Sequence, residues 1–278
     1  MGFEKSPHRH VDMPYKLVLS DLDGTFLDDN REIPERNAEA VRLMTEKGVL
    51  FGFASGRSYH SLNRFYDALS LLGRGLSGIA FNGAVVYEID TYDPLSVILL
   101  KNDVMQYLVG LMRPFLKDIY VYGPDGTLYS EYLTDTFTGY ATRSNVPHRV
   151  ADFGGITEDI VKILLLSDYE VISKVHDRLA DVVPGLCNMI FSSKRMLEFT
   201  DLRASKGNAL AFLGERLNIG IDDIIAVGDN YNDESMIARA GLGVVTANAE
   251  DGLKPTADYV TEATNNDGAL MEIVERFL

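Results

Sequence analysis

The sequence predicts an α/β protein with a doubly wound, Rossmann-like parallel sheet core and an inserted α+β domain. Short and almost continuously apolar runs occur at both ends of the chain, as is typical of strands buried on both faces of a parallel sheet. Amphipathic helical patterns alternate with these runs. The middle of the chain instead carries runs rich in β-branched residues and tyrosines, which favour an antiparallel sheet.

Four apolar runs are predicted to be core strands, and each ends at a polar residue. They cover residues 16–20, 49–55, 78–82 and 223–229. The polar residues at their ends are Asp21, Ser55, Asn82 and Asp229. All four therefore have the pattern of a buried strand that delivers a functional side chain at its carboxyl end.

Helices are predicted between these strands. The segment 34–48 has Pro34 near its start, apolar residues near helical spacing, and Gly48 as a stop signal. A second helix follows Ser205, which we expect to be its N-cap. A third is expected to end at Gly241.

The middle segment, residues 86–196, contains five apolar runs and helical patterns near 103–116 and 170–181. We expect it to form an inserted cap domain that lies over the sheet edge. Residues 1–85 and 197–278 would then form the core. The strands and helices of the insertion do not alternate as in the core, which is why we expect an α+β arrangement there.

Composition excludes several classes of protein. The 278 residues include 41 acidic and 26 basic ones, and the resulting charge of −15 argues against nucleic acid or anionic lipid as a partner. The single Cys187 excludes an internal disulfide and a cysteine zinc site, and we expect it to be a small buried residue.

No apolar run approaches the roughly 20 residues of a membrane span, and the N-terminus lacks the apolar core of a signal peptide. We therefore expect a soluble cytoplasmic protein that is a monomer or a small homo-oligomer. The first dozen residues have the composition of a polar tail, in which no ligand role is expected for His8 or His10.

In an open parallel sheet, ligands bind in the crevice beyond the carboxyl ends of the strands. We therefore expect the polar residues at the predicted strand ends to converge on one such crevice. Lys206 lies at the predicted start of a helix, where free backbone N–H groups also favour an anion. Carboxylates beside a hydroxyl, an amide and a lysine form a set that can hold a hard cation together with a phosphoryl group. Oxygen ligands suit Mg²⁺.

These residues resemble four motifs of the haloacid dehalogenase superfamily, in their usual order. The motifs are "DLDGT" (21–25), Ser55 in "ASGR", Lys206 in "SKG" and "GDNYND" (228–233). The insertion between the second and third motifs, together with "FNGAVVY" before it, resembles the Cof-type phosphatases with a C2B cap (class IIB). The resemblance covers essentially the whole chain after about residue 14.

The resemblance implies catalytic and metal-binding roles. Asp21 would be the nucleophile that forms an aspartyl-phosphate, and Asp23 would be the general acid and then the general base. The side chains of Asp21 and Asp229 and the backbone carbonyl of Asp23 would bind Mg²⁺. Asp233 would orient the metal ligands, and Thr25 would stabilise the turn.

The resemblance also implies substrate-binding and phosphate-binding roles. The residues expected to have them are Ser55, Gly56, Arg57, Asn82, Lys206 and Asn232. For three of them an alternative stays open: Asn82 could form a turn with Gly83, Arg57 could pair with a nearby acid, and Asn232 could cap the following helix.

We therefore expect a Mg²⁺-dependent phosphomonoester hydrolase that acts on small phosphorylated metabolites. Sugar phosphates are the expected substrates, with flavin mononucleotide and pyridoxal phosphate as open alternatives. Two other functions remain: a phosphosugar mutase similar to phosphomannomutases, and a non-catalytic sugar-phosphate sensor. A transport ATPase is excluded by the absence of membrane spans in the sequence.

Overall fold

The computed structural model describes residues 15–278, so the predicted N-terminal tail with His8 and His10 lies outside the described residues. In this range the strands are β1 (Leu17–Ser20), β2 (Leu50–Phe53), β3 (Ser77–Ala80), β4 (Val85–Glu88), β5 (Pro94–Val97), β6 (Ile119–Tyr122), β7 (Leu128–Ser130), β8 (His148–Val150), β9 (Lys162–Leu166), β10 (Asn188–Ser193), β11 (Met196–Thr200), β12 (Ile224–Gly228), β13 (Leu242–Val245) and β14 (Tyr259–Val260). The α-helices are α1 (Glu35–Glu46), α2 (Tyr59–Ala68), α3 (Asn102–Met112), α4 (Asp135–Ser144), α5 (Tyr169–Leu179), α6 (Lys206–Leu217), α7 (Glu234–Ile237) and α8 (Ala269–Phe277). Short 3₁₀ turns occupy Phe81–Gly83, Phe153–Gly155, Ile221–Asp223, Tyr231–Asp233, Lys254–Thr256 and Asn265–Asp267.

The core is a five-stranded parallel sheet in the order β14-β13-β12-β1-β2. Alternate residues of β1 face opposite sides: Val18 packs in the hydrophobic cluster that contains α1 and α8, whereas Leu17 and Leu19 pack in the cluster that contains α6 and α7. Helices therefore cover both faces of the sheet. This confirms the predicted doubly wound core.

The first crossover follows the sequence pattern closely. Pro34 precedes the first residue of α1, and Gly48 adopts φ +77° just after the helix ends. The next residue, Val49, donates its backbone N–H to the carbonyl of Met44 at 2.9 Å. The glycine thus ends the helix and turns the chain directly into β2.

A second sheet of six strands has the order β10-β11-β9-β6-β7-β8 and is antiparallel except for the β7–β8 pair. Helices α3 and α5 share one hydrophobic cluster with this sheet, and α4 packs in another, so both faces are covered. Strand β11 runs across the boundary proposed after residue 196. The cap boundaries remain a prediction.

Strand β3 differs from the expectation of a core strand in the parallel sheet. It pairs antiparallel with β4, which pairs antiparallel with β5, and a single parallel bridge between Ala54 and Ile79 joins it to the end of β2. Residues 78–82 are apolar because they are buried, and that pattern alone does not reveal the direction of pairing. The final two residues, Phe81 and Asn82, enter a 3₁₀ turn with positive φ.

The third predicted core helix is much shorter than expected. It ends at Ile237 instead of Gly241. The backbone N–H of Gly241 donates to the carbonyl of Ile221 at 2.9 Å, so the chain leaves the helix to lie against that turn before β13 begins. In residues 15–278, no helix combines the length and apolar character needed to cross a membrane.

Backbone contact between two helices fixes the start of α6. Ser205 caps the helix as predicted, and the N–H of Gly207 donates to the Ser235 hydroxyl of α7 at 3.0 Å. A Cβ on Gly207 would lie 2.2 Å from the carbonyl oxygen of Ser235. The close approach of α6 and α7 therefore requires glycine at this position.

We expect Gly207→Ala to lower the free energy of unfolding by about 1–3 kcal/mol, because two backbones must separate to admit the methyl group. Gly110→Ala is the matched control: Gly110 is also helical, and a Cβ there would have no atom within 4 Å. That variant should be neutral or slightly more stable. Urea denaturation followed by circular dichroism measures both, and equal stability of the two variants would contradict the packing account.

Candidate active site

Three carboxylates meet at the carboxyl ends of β1 and β12. Asp21 follows β1, and Asp229 and Asp233 follow β12, which is the parallel neighbour of β1. The backbone N–H of Asp21 donates to the carbonyl of Val227 at 2.8 Å, which extends the ladder to the edge of the site. One oxygen from each carboxylate lies within 4.8 Å of the others.

Lys206 is the cation of this cluster. Its side chain is fully buried, and its Nζ donates to Oδ1 of Asp21 at 2.6 Å and to Oδ1 of Asp233 at 2.5 Å. The other oxygen of Asp233 accepts the backbone N–H groups of Asp229 and Asn230 at 3.0 and 3.1 Å. The lysine thus joins the end of β1, the start of α6 and the turn after β12.

The cluster contains more negative than positive charge. Burial raises the pKa of Asp21 to about 7 in spite of the nearby Lys206 ammonium, and burial together with Asp21 and Asp233 raises the pKa of Asp229 to about 8. Burial alone would lower the pKa of Lys206, but the two carboxylates more than offset this and raise it. One ammonium therefore does not compensate three acids, of which Asp21 and Asp233 are buried and Asp229 is partly buried.

This arrangement fits a divalent metal ion. The donors are carboxylate oxygens, which hard cations prefer. The raised pKa values of Asp21 and Asp229 indicate that ionisation of both is unfavourable until more positive charge is present. The Asp21, Asp229 and Asp233 cluster could therefore hold such an ion, consistent with the predicted metal ligands Asp21 and Asp229.

Two residues of the first motif hold Asp229 in place. Thr25 donates its hydroxyl to Oδ1 of Asp229 at 2.6 Å, a contact across 204 positions of sequence. Gly24 has φ +83°, and a Cβ there would lie 2.5 Å from Oδ2 of Asp229. Gly24 thus permits both the turn and the approach of the carboxylate, and Thr25 binds the cluster instead of acting only within its own turn.

Asp23 does not belong to the carboxylate cluster of Asp21, Asp229 and Asp233. Its half-exposed carboxylate forms a two-point ion pair with Arg57, with Nε at 2.7 Å and Nη2 at 2.5 Å. The pKa of Arg57 would be lowered by burial but is raised because Asp23 more than offsets that effect. Arg57 is therefore paired with a nearby acid in this structure, which is the alternative that the sequence analysis left open. Its backbone N–H also donates to the hydroxyl of Ser55 at 3.2 Å.

The two asparagines predicted to contact substrate contact each other. Asn82, at φ +55°, accepts the amide N–H of Asn232 at 3.0 Å and donates to Oε2 of Glu198 at 2.8 Å. Asn230, not Asn232, caps the turn that precedes α7. The N-cap alternative for Asn232 is therefore wrong.

Two charged residues of this region were missed by sequence reasoning. Lys162 of β9 and Glu198 of β11 form a buried pair at 2.9 Å. Lys162 also donates to the carbonyl of Gly56 at 2.8 Å, and Glu198 accepts from Asn82 and from the Ser192 hydroxyl. The sequence did contain a signal for them, because Lys162 in "KILLL" and Glu198 in "MLEFT" are charged residues within otherwise mostly apolar runs.

A cavity of about 470 Å³ opens in front of these loops. Six of the predicted site residues line it. Asp21, Asp23, Ser55, Gly56 and Arg57 belong to the first two motifs, and Asn232 belongs to the fourth. The second sheet and its helices provide other walls, through residues such as Tyr122, Tyr140 and Glu198. Lys206 and Asn82 are themselves buried.

Comparison with known proteins identifies the class. The sequence model of the haloacid dehalogenase-like hydrolases matches residues 18–273, so the chain belongs to this family. A haloacid dehalogenase-like hydrolase from Bacteroides thetaiotaomicron has a similar structure, with a TM-score of 0.83 and 29% identity, covering 95% of this chain and 100% of that one.

Two further proteins are similar to almost the whole chain. The Bacillus subtilis 5-amino-6-(5-phospho-D-ribitylamino)uracil phosphatase YcsE is 26% identical over 263 residues, 94% of this chain and 96% of its own length. The subclass IIB sugar phosphatase BT4131 shares the fold at a TM-score of 0.78 and 17% identity, over 94% of this chain and 98% of its own. The expected haloacid dehalogenase-type phosphatase of the Cof type is confirmed.

We expect Lys162→Met to lower the free energy of unfolding by about 3–5 kcal/mol, because it leaves the carboxylate of Glu198 buried without its cation. Lys101→Met is the matched control: Lys101 pairs with Asp159 at 2.8 Å on the surface, and its loss should have little measurable effect. Chemical denaturation measures both variants. A Lys162→Met protein as stable as the control would contradict the inferred role of the buried pair.

Proposed function

We propose that this phosphatase is a Mg²⁺-dependent phosphomonoester hydrolase of small phosphorylated metabolites, with sugar phosphates as the expected substrates. The observation that carries the proposal is the position of Asp21. Its carboxylate belongs to the acidic cluster that could hold a metal ion and also lines the cavity. A nucleophile there would lie next to the residues that would hold the metal ion and would also face the cavity that would admit the phosphoester.

Asp21 would form the covalent intermediate. Lys206 holds Oδ1, which leaves Oδ2 to attack phosphorus. The new O–P bond forms as the bond between phosphorus and the leaving oxygen breaks, and the phosphoryl group passes to Asp21. An ammonium has three N–H donors, and Lys206 uses two of them on carboxylates. The third would bind a phosphoryl oxygen, as would the Ser55 hydroxyl.

Asp23 would move the protons. It would protonate the leaving oxygen and then take a proton from the water that attacks phosphorus and releases phosphate from Asp21. In this structure its carboxylate is held by the two-point ion pair with Arg57. Movement of the Arg57 guanidinium onto a phosphoryl oxygen would break this pair and free the Asp23 carboxyl group to reach the leaving oxygen.

Mg²⁺ held by Asp21, Asp229 and the Asp23 backbone carbonyl would neutralise charge on the phosphoryl oxygens. Asp233 would keep its position through Lys206 and the two backbone N–H groups. The YcsE name supports a small phosphorylated substrate. A mutase would use the same first step, so product analysis separates the two activities.

We expect Asp21→Asn to reduce magnesium-dependent phosphate release by at least about a thousandfold, because the amide is not a nucleophile. Asp67→Asn, at an exposed position of α2, is the control and should keep wild-type activity. The assay is phosphate release from a panel of sugar phosphates, flavin mononucleotide and pyridoxal phosphate. Undiminished release by Asp21→Asn would exclude it as the nucleophile.

Binding of Mg²⁺ should strengthen as pH rises from 6 to 8. The raised pKa values of Asp21 and Asp229, about 7 and about 8, mean that both are largely protonated at pH 6. Mg²⁺ must displace those protons, and calorimetry in two buffers of different ionisation enthalpy should detect their release.

The same shifts fix the sign of the stability change. Because the folded pKa values lie above the unfolded value of 3.8, the metal-free protein loses stability as pH rises from about 3.8 to about 7 for Asp21 and about 8 for Asp229. Thermal unfolding should therefore show a larger stabilisation by Mg²⁺ at pH 8 than at pH 6, and Asp229→Asn should remove most of the difference. A pH-independent Mg²⁺ effect would contradict this site.

A further inference from the structure

The cavity in front of Asp21 is rich in positive charge, although the whole chain has a net charge of −15. Its lining includes six cationic side chains: Arg31, Arg57, Arg64, Arg143, Lys194 and Arg195. Three acids line it too, and each is already paired: Asp21 with Lys206, Asp23 with Arg57 and Glu198 with Lys162.

Most of the cations have no acidic partner. Arg57 is taken by Asp23, and Arg195 lies 3.4 Å from the exposed Asp168. Within residues 15–278, the other four have no carboxylate within 4.0 Å: Arg31, Arg64, Arg143 and Lys194. We call these four the cationic rim, because all are exposed whereas Lys206 is buried.

The rim is assembled from both sheets. Arg31 follows the first motif and Arg64 lies on α2, on the side of the core sheet. Arg143 lies in the last turn of α4, and Lys194 lies in the turn between β10 and β11, on the side of the second sheet. The presence of each cation can be explained locally; for example, a positive charge such as that of Arg143 is favourable near the C-terminus of a helix. Those explanations do not account for the convergence of all four on one cavity.

We propose that the cationic rim binds a second anionic group of the substrate. The phosphatase would then prefer phosphomonoesters whose leaving group carries a carboxylate or a second phosphate. In the proposed function the transferring phosphoryl group is bound by Lys206, Ser55, Arg57 and the metal cluster, so the rim charges are additional to those the reaction uses. This inference rests on the proposed function, and it names the substrate class of the same cavity.

The physical basis of the proposal is the electrostatic repulsion between like charges that share a concave surface. Clefts lined with one sign of charge concentrate ligands of the opposite sign. Arginine offers two parallel donors to a carboxylate or a phosphate, which favours such groups over hydroxyls. A neutral leaving group would leave the rim charges uncompensated.

Matched substrates test the proposal on the wild-type protein. The carboxylate comparison is 6-phosphogluconate with sorbitol 6-phosphate, and the phosphate comparison is fructose 1,6-bisphosphate with fructose 6-phosphate. We expect kcat/KM to be at least about tenfold higher for the doubly anionic member of one pair, with the advantage falling as salt is raised. The pair that shows the advantage identifies the second anion.

The rim variant is Arg143→Gln/Lys194→Gln, which removes two exposed charges and should reduce that preference ratio by about tenfold. The matched control is Lys174→Gln/Arg178→Gln, which also removes one lysine and one arginine but from the exposed side of α5. The control should keep the wild-type ratio. Equal kcat/KM within both pairs, or a rim variant that behaves like the control, would overturn the proposal.

Failure of the proposed function has a different signature. No phosphate would be released from any of the four compounds or from the wider substrate panel. Calorimetric binding of the same pairs to the wild-type protein would then decide the inference alone: tighter binding of a doubly anionic member, lost in the rim variant, would uphold the cationic rim, and equal binding would refute it.

Discussion

The buried ammonium of Lys206 is the interaction on which the rest of the site depends. It holds Asp21 and Asp233 at 2.6 and 2.5 Å, and so joins three segments that are far apart in the chain. Its position follows from the packing of α6, which starts at Lys206, is capped by Ser205 and approaches α7 through Gly207. Removal of this charge would leave a group of buried carboxylates with no counter-ion.

The buried charges are incompletely compensated around Lys206 and fully compensated in the pair of Lys162 and Glu198. The cluster around Lys206 retains excess acid, which suits a metal ion and raises the pKa values of Asp21 and Asp229. The Lys162 and Glu198 pair is balanced and reaches the loops that carry Gly56 and Asn82. The excess of acid around Lys206 favours the binding of a metal ion. The balanced pair holds the second sheet against the loops that line the cavity.

Much of the core and of the carboxylate cluster could be predicted, because both depend on local patterns at strand ends. The sequence correctly indicated Asp21 and Asp229 at one edge and Ser205 as a cap. It could not reveal contacts set by tertiary packing, such as the bond from Thr25 to Asp229, the direction of β3 pairing or the early end of α7. Lys162 and Glu198 were missed because a charge within an apolar strand has meaning only when its distant partner is known.

The most direct test of the account is to trap the covalent intermediate. The protein would be mixed with Mg²⁺ and a substrate that it hydrolyses, quenched in acid within milliseconds and treated with borohydride, which reduces an aspartyl-phosphate to homoserine. Mass spectrometry of the tryptic peptide 17–31 should then place homoserine at position 21. Phosphate release without any modified residue, or homoserine at position 23 instead, would contradict Asp21 as the nucleophile.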